Sequence, residues 1–232
     1  LKVLNRKAQE SEKMKQAFIN SICHEIRTPL NSIVGFSDLI MNEDIDEEMR
    51  REFPAEIQKS TLLLTGLVNS MLEVANLDVS EDKLPCGPTD IRNICIQEME
   101  KISPKPRIKY QLDITEDTLF IPTNAQYLTM VIEHLLNNAN KFTEEGFIAL
   151  GYKVNLSKNQ ICISVTDSGC GIPKEKQEEV FNRFSKLDTF VPGNGLGLYL
   201  CRLIVKRLDG EIKIDPEYTD GTRVVVNLPM NE

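Results

Sequence analysis

The stretch FPAEIQKSTLLLTGLVNSMLEV, residues 53–74, decides the fold of the first part of the chain. Phe53, Ile57, Ser60, Leu64, Leu67, Met71 and Val74 advance by alternating steps of four and three residues. That spacing keeps one seam along a helix over about three heptads, the pattern of a coiled coil. Upstream, Phe18, Ile22, Ile26, Leu30, Ile33 and Leu39 or Ile40 recur at similar steps between Ala8 and Met41, so an amphipathic helix precedes it. The acidic stretch from Asn42 to Glu48 interrupts the two stripes and reads as a hairpin loop, its carboxylates close to the positive end of the next helix. A hairpin of two such helices leaves an apolar face open. Pairing two hairpins into a four-helix bundle closes that face and predicts a homodimer; packing of both helices on the rest of the same chain is the alternative.

After Val79 come Ser80, Asp82, Pro85, Gly87 and Pro88, which end the helix and supply a linker. The periodicity then changes. Ile91 to Lys101, Asn124 to Lys141 and Tyr199 to Leu208 read as helices, and Arg107 to Asp113, Phe147 to Asn155, Gln160 to Asp167, Glu211 to Asp215 and Thr222 to Leu228 as strands. Strands mixed with helices imply a two-layer α/β sandwich with helices on one face of a sheet. The predicted division is a helical hairpin over residues 1–80, a linker over 81–89 and an α/β domain over 90–232.

Composition narrows the function. The 232 residues are 41% hydrophobic and 27% charged, as in an ordinary globular chain. A formal net charge of -8 argues against a general nucleic-acid binder, because affinity for a polyanion comes largely from Lys and Arg. Six scattered cysteines without a C-x-x-C pair predict reduced, mostly buried thiols rather than a disulfide framework or a zinc site. No apolar run approaches the ~20 residues that span a bilayer, which predicts a soluble, cytoplasmic chain without direct membrane contact.

Four clusters carry chemistry. In His24-Glu25-Ile26-Arg27-Thr28-Pro29-Leu30, the apolar seam takes Ile22, Ile26 and Leu30 and leaves His24 pointing outward. His24 and Thr28, four apart, share a helix face, and Glu25 lies beside the imidazole. A neutral imidazole nitrogen can attack a phosphoryl group when a neighbouring carboxylate orients the ring and takes the other ring proton. Pro29 removes the N–H that would have bonded the Glu25 carbonyl, so a bend is expected there. In Asp167-Ser168-Gly169-Cys170-Gly171, glycines admit close approach of a ligand and the carboxylate at a strand end can accept from an exocyclic amine, although Asp-Ser-Gly also makes ordinary turns. Gly193-Asn194-Gly195-Leu196-Gly197-Leu198 opens a helix and can cradle phosphate. In His134-Leu135-Leu136-Asn137-Asn138-Ala139-Asn140-Lys141-Phe142-Thr143, Asn138 and Lys141 share a face, bringing an amide oxygen for Mg²⁺ near an ammonium for phosphate; an Asn-rich helix end is otherwise a capping signal.

The H-E-I-R-T-P-L string resembles the H-box of sensor histidine kinases. The other three clusters, in this order, resemble the N-box, G1 and G2 boxes of the ATPase fold shared by histidine kinases, gyrase, Hsp90 and MutL. The resemblance covers nearly the whole chain. It implies that His24 accepts phosphate, that Glu25 activates it, and that Thr28 helps position water for dephosphorylation. It places Mg²⁺ on Asn138, adenine on Asp167, a stacking aromatic at Phe142 and phosphates on the loop of Gly193, Gly195 and Gly197, and counts Lys141, Gly169, Gly171, Leu198 and Thr222 among the ATP-binding residues. Phe181-Asn182-Arg183-Phe184 looks like the F-box, with Lys186 in the lid position beyond it and Phe184 to Gly193 as the lid. The chain departs from the pattern at His134, where the N-box usually begins with Asn, and at Thr219-Asp220-Gly221-Thr222, which keeps only the second Gly and the Thr of a Gly-x-Gly-Thr pattern.

The resemblance implies ATP-dependent autophosphorylation of His24, then transfer to an aspartate of a response-regulator receiver, with dephosphorylation as a further activity. The chain would be the intracellular kinase core of a larger membrane or hybrid sensor. A clamp-type ATPase of the same fold would need no H-box, and a purely binding module would need no intact Asn138, Asp167 and glycine loop.

Overall fold

The computed structural model describes residues 2–41, 46–79, 84–115, 117–183, 185 and 195–231, with side chains before Ile22 described at Gln16, Ile19 and Asn20. Phe184, Lys186, Gly193 and residues 42–45 and 80–83, on which several sequence expectations fall, lie outside them. The described residues divide into two compact units, one within Leu1–Glu73 and the other over Val74–Leu187 and Gly197–Glu232, with Gly195 and Leu196 grouping outside the second.

Two long helices make the first unit. Helix α1 (Lys2–Met41) runs on through Pro29. A short turn of helix, α2 (Glu47–Arg50), is capped by Asp46, whose carboxylate accepts from the Glu48 N–H at 3.3 Å. Helix α3 (Phe53–Val79) follows, and the Phe36 and Phe53 rings, 5.5 Å apart, join α1 to α3 near the turn. The seam read from the sequence is the covered side of α3: Ser60, Leu67 and Val74 are buried, and Phe53, Ile57, Leu64 and Met71 are half-buried. Several large apolar side chains stay exposed on this single chain: Leu62, 67% exposed, Leu63, Val68 and Leu72 on α3, and Leu30 and Val34 on α1.

The second unit is a sheet with helices packed on it. Its five strands are β2 (Ile108–Asp113), β4 (Gly146–Asn155), β5 (Gln160–Asp167), β6 (Glu211–Ile214) and β7 (Thr222–Pro229), in the order β2-β4-β5-β7-β6. β2 runs parallel to β4 and every other pair is antiparallel. Helices α4 (Ile91–Glu100), α5 (Ala125–Phe142) and α6 (Gly197–Arg207) supply the apolar layer over it. On α5 the buried residues Leu128, Val131, Ile132, Leu135, Leu136 and Ala139 fall at helical spacing, against Ile148, Leu150, Ile161, Ile163 and Val165 of the central strands. Val74 and Leu77, the end of α3, belong to this core, and Arg207 donates to the Leu77 carbonyl at 2.6 Å.

Two features differ from the sequence reading. Gly87–Asp90, whose residues 87–89 read as linker, is a strand (β1) paired antiparallel with β3 (Phe120–Thr123) in a separate two-stranded ribbon. Proline in each partner, Pro88 opposite Pro122, hides the strand signal, yet a two-stranded ribbon tolerates it because half its backbone donors need no ladder partner. The thiols are free but not mostly buried: Cys95 and Cys201 are buried, whereas Cys23, Cys86 and Cys170 are exposed on an outward helix face and in loops. Burial pushes the Cys95 thiol up to about 12, with Asp90 adding to the effect, so it stays protonated and unreactive.

The pairing register sets one end of the sheet. Asp167 ends β5 opposite Ile148 on one side and Thr222 on the other. The turn into β7 has no room for a side chain: Gly221 has φ +148°, and a Cβ there would lie 2.0 Å from the Asp167 carbonyl oxygen. Gly221→Ala should therefore destabilise the α/β unit by at least about 2 kcal/mol, read as a lower midpoint in chemical denaturation.

Candidate active site

In the first unit, His24 is the presented group. Its side chain is 76% exposed on α1, whereas Glu25, one residue on, is 20% exposed. The Nδ1 atom lies 3.7 Å from Glu25 Oε1, at ion-pair rather than hydrogen-bond range, which leaves Nε2 on the far side of the ring. Thr28 sits one turn further along the same face, and its hydroxyl donates to the His24 carbonyl at 3.3 Å. That carbonyl is therefore held by the Thr28 side chain, while Pro29 withholds an N–H from the Glu25 carbonyl. Ile22 and Ile26 are half-buried as the seam requires, but Leu30 is exposed.

In the second unit, Asp167 is the centre. The residue is 6% exposed, and its Oδ1 accepts two backbone N–H groups, from Gly169 at 2.9 Å and from Thr222 at 3.2 Å. The first bond makes the ordinary Asp-x-Gly turn that the sequence left open as an alternative; it occupies one oxygen and leaves Oδ2 as an acceptor. Burial raises the Asp167 pKa above the usual carboxylate value, opposed by the Gly169 and Thr222 N–H groups. The Tyr218 hydroxyl donates to the Asp167 carbonyl at 3.2 Å. Ser168 ties the same corner to β4: its N–H donates to the Phe147 carbonyl at 3.1 Å and its Oγ accepts from the Phe147 N–H at 2.8 Å.

Around this carboxylate the backbone is stripped of side chains. A Cβ on Gly169 would lie 2.4 Å from the Phe142 carbonyl oxygen, and Gly171 has φ +71° with its Cβ position 3.2 Å from the Gly221 carbonyl. The Asp167 to Gly171 loop and the end of α5 are thus in direct backbone approach. Asn138 is half-buried near that end, and Lys141 and Phe142 are exposed, with the Lys141 ammonium 4.7 Å from the Phe142 ring centroid. Phe142, 39% exposed, keeps a face for stacking.

Gly197 opens α6, with Leu198 half-buried on its first turn, and Gly195 two residues earlier adopts φ +63°. A Cβ on Gly197 would stand 3.7 Å from His134 Nδ1, so the imidazole that replaces the usual Asn faces the first turn of α6. Burial lowers the His134 pKa, against the pull of Glu133, and keeps the ring neutral.

The structure thus brings Asp167, Gly169, Gly171 and Thr222 into one corner, with Phe142 reaching it through its carbonyl, and keeps His24, Glu25 and Thr28 together on another unit. Sequence reading missed Tyr218, Ser168 and Gly146 as supports. Tyr218 acts across 51 residues and no local pattern announces it. Gly146, with φ +110° and a Cβ position 2.0 Å from Ser168 Oγ, could have been suspected from the Glu-Glu-Gly turn before β4.

These residues fit a nucleotide with its metal. A buried acceptor beside side-chain-free backbone suits an adenine amine, and the positive N-terminal end of α6 suits phosphate. No group of three His, Cys, Asp or Glu side chains able to hold a metal occurs among the described residues. Asp167→Asn keeps an oxygen for both backbone donors but turns an NH₂ toward the adenine amine. It should leave the melting temperature equal or higher near neutral pH, because a desolvated charge is removed, and weaken ATP binding about 10- to 100-fold. In the native chain the affinity should fall on acidification at a pH above the usual carboxylate range, as Asp167 takes up its proton, and calorimetry across pH should find that dependence absent from the variant.

Comparison with known proteins places both units. Residues 14–79 match the His Kinase A (phospho-acceptor) domain, and residues 123–232 match the histidine kinase-, DNA gyrase B- and HSP90-like ATPase. Sensor protein EvgS of Escherichia coli O157:H7 is 29% identical over 99% of this chain, and Sensor histidine kinase GacS of Pseudomonas protegens is 28% identical over 99%. Hybrid signal transduction histidine kinase A of Dictyostelium discoideum is 29% identical over 96%. The chain spans only 20%, 26% and 11% of those relatives, respectively. Among solved structures, full-length ShkA in complex with AMPPNP superimposes with a TM-score of 0.68 at 26% identity, covering 92% of this chain and 45% of that one. Histidine kinase ThkA in complex with response regulator TrrA superimposes at 0.72 with 21% identity, covering 97% and 64%, and shares the fold. With a phospho-acceptor domain, an ATPase domain and sensor kinases matching almost its whole length, the chain belongs to the histidine kinase family.

Proposed function

We propose that this chain phosphorylates its own His24 from ATP and then passes the phosphoryl group to an aspartate of a response-regulator receiver. The observation that carries this is an exposed imidazole whose Nδ1 faces Glu25, in a chain that also holds a buried carboxylate with one oxygen left as an acceptor. Asp167 and the Gly169 and Gly171 backbone bind and orient the base, Phe142 stacks on it, and the start of α6 with Lys141 takes the phosphates; by resemblance Gly193, Gly195 and Lys186 are further phosphate contacts. His24 Nε2 attacks the γ-phosphorus. A P–N bond forms, the bond from the γ-phosphorus to the bridging oxygen breaks, and ADP leaves with the electron pair. Glu25, beside Nδ1, orients the ring and takes the proton from that nitrogen as the phosphoramidate forms. Asn138 is the residue that would hold Mg²⁺, whose contribution when bound is to neutralise phosphate charge. Thr28, on the face of His24, serves the reverse chemistry by positioning water against the phosphorylated ring.

The large apolar side chains left exposed on α1 and α3, Leu30, Val34 and Leu72 among them, support a homodimer in which a second copy covers them to complete a four-helix bundle. No helix among the described residues is long and apolar enough to cross a membrane. The kinase core of a larger sensor, working inside the cell, is the reading consistent with relatives several times its length.

Incubation with γ-labelled ATP should give a label that is acid-labile and alkali-stable, and His24→Gln should carry none; label persisting in that variant overturns the assignment. Leu72→Asp should convert dimer to monomer in analytical ultracentrifugation without loss of the α/β unit's melting transition, because burying an unpaired carboxylate at a helix seam costs several kcal/mol.

A further inference from the structure

The C-terminal end of α5 carries Asn138, Lys141 and Phe142, and a helix end leaves its last carbonyls without intrahelical donors. Thr143 supplies one donor, its N–H reaching the Ala139 carbonyl at 3.1 Å. The Asn140 and Thr143 carbonyls are served by Lys105, whose Nζ donates to both, at 2.9 Å to Thr143. Lys105 sits between Pro104 and Pro106, which fix the backbone on either side of it. Its own N–H donates to the Tyr110 hydroxyl oxygen at 3.1 Å, and that hydroxyl donates to Asn140 Oδ1 at 2.8 Å. Asn140 Nδ2 donates in turn to the Ser103 carbonyl at 3.3 Å. On its other flank, the same turn meets Gly169 through the Phe142 carbonyl.

We infer that Lys105, Tyr110 and Asn140 form a positioning clamp that sets the final turn of α5, and through it the register of Asn138, Lys141 and Phe142 against the Asp167 loop. The inference rests on the nucleotide reading given above. Asn140 is two residues from Asn138, roughly 200° around the helix, so its amide engages the clamp without competing for the ligand side. A cation over the last carbonyls also offsets the negative end of α5. The clamp reaches from the loop before β2 to the helix, so two of its members, Lys105 and Tyr110, fix the binding turn from outside the four sequence boxes. These three side chains touch neither substrate nor metal; they act through the turn they hold.

The test is made on the 232-residue chain with Lys105→Met, Lys105→Arg, Tyr110→Phe and, as a control, Lys101→Met, whose ammonium pairs with Glu98 at 2.5 Å away from the clamp. Affinity for Mg-AMPPNP is measured by calorimetry, KM and kcat by labelling, and amide hydrogen exchange of residues 139–143 without nucleotide. The clamp predicts faster exchange in that turn and about a 10-fold or greater rise in Kd and KM for Lys105→Met and Tyr110→Phe, with kcat within about twofold. Lys105→Arg should stay within about threefold of native, and Lys101→Met unchanged. Binding by the native chain tests the nucleotide reading, whereas the difference between native and variant tests the clamp. Faster exchange with unaltered Kd, or a raised Kd with unaltered exchange, overturns the inference. If Lys105→Met does not fold, Tyr110→Phe, which loses one hydroxyl, decides it.

Discussion

The nucleotide unit depends on where one carboxylate finds its hydrogen bonds. Asp167 is desolvated at the end of the central strand β5, a position that is costly for a charge unless donors meet it. Two backbone N–H groups do, one from its own turn and one from β7, and both fall on Oδ1. The remaining oxygen is left as an acceptor, which the proposed function gives to a nucleotide base. Gly221, Tyr218 and Ser168 make sense as consequences: each holds the backbone of residues 167–168 where those two bonds need it.

The acceptor unit follows a different logic. His24 is kept out of the core by the seam of α1, with Glu25 beside Nδ1 and Thr28 bonded back to its carbonyl. Under the proposed function His24 is a substrate offered to a second domain, and the division of the chain into two units is what such a relay requires. Burial also sorts the titratable groups by role: it keeps His134 neutral near the start of α6, while His24 stands in solvent.

Much of this was legible in the residues. The 4-3 spacing from Phe53 to Val74 defined the covered face of α3, and β5 was bounded at Gln160 and Asp167 because its alternation ends in a turn sequence. The ribbon β1–β3 was not legible, because proline in both strands erases the β signal and the pairing is tertiary. The exposed thiols were misjudged because cysteine's burial habit is an average, and α1 carries Cys23 outward beside His24. Local pattern located Asp167 but could not choose between turn and ligand; the structure makes the turn with one oxygen and leaves the other as an acceptor. Lys105 and Tyr110 were invisible as site residues, since their partner Asn140 lies 35 and 30 positions away.

Phosphotransfer through this chain turns on which of its atoms receives phosphate. Phosphorus NMR of the chain after incubation with Mg-ATP, taken at alkaline pH, reports the answer directly. With Nδ1 directed at Glu25, a single phosphoramidate on the Nε2 atom of His24 is predicted. A resonance of the Nδ1 isomer, or an acid-stable phosphoester on Ser or Thr, would contradict it.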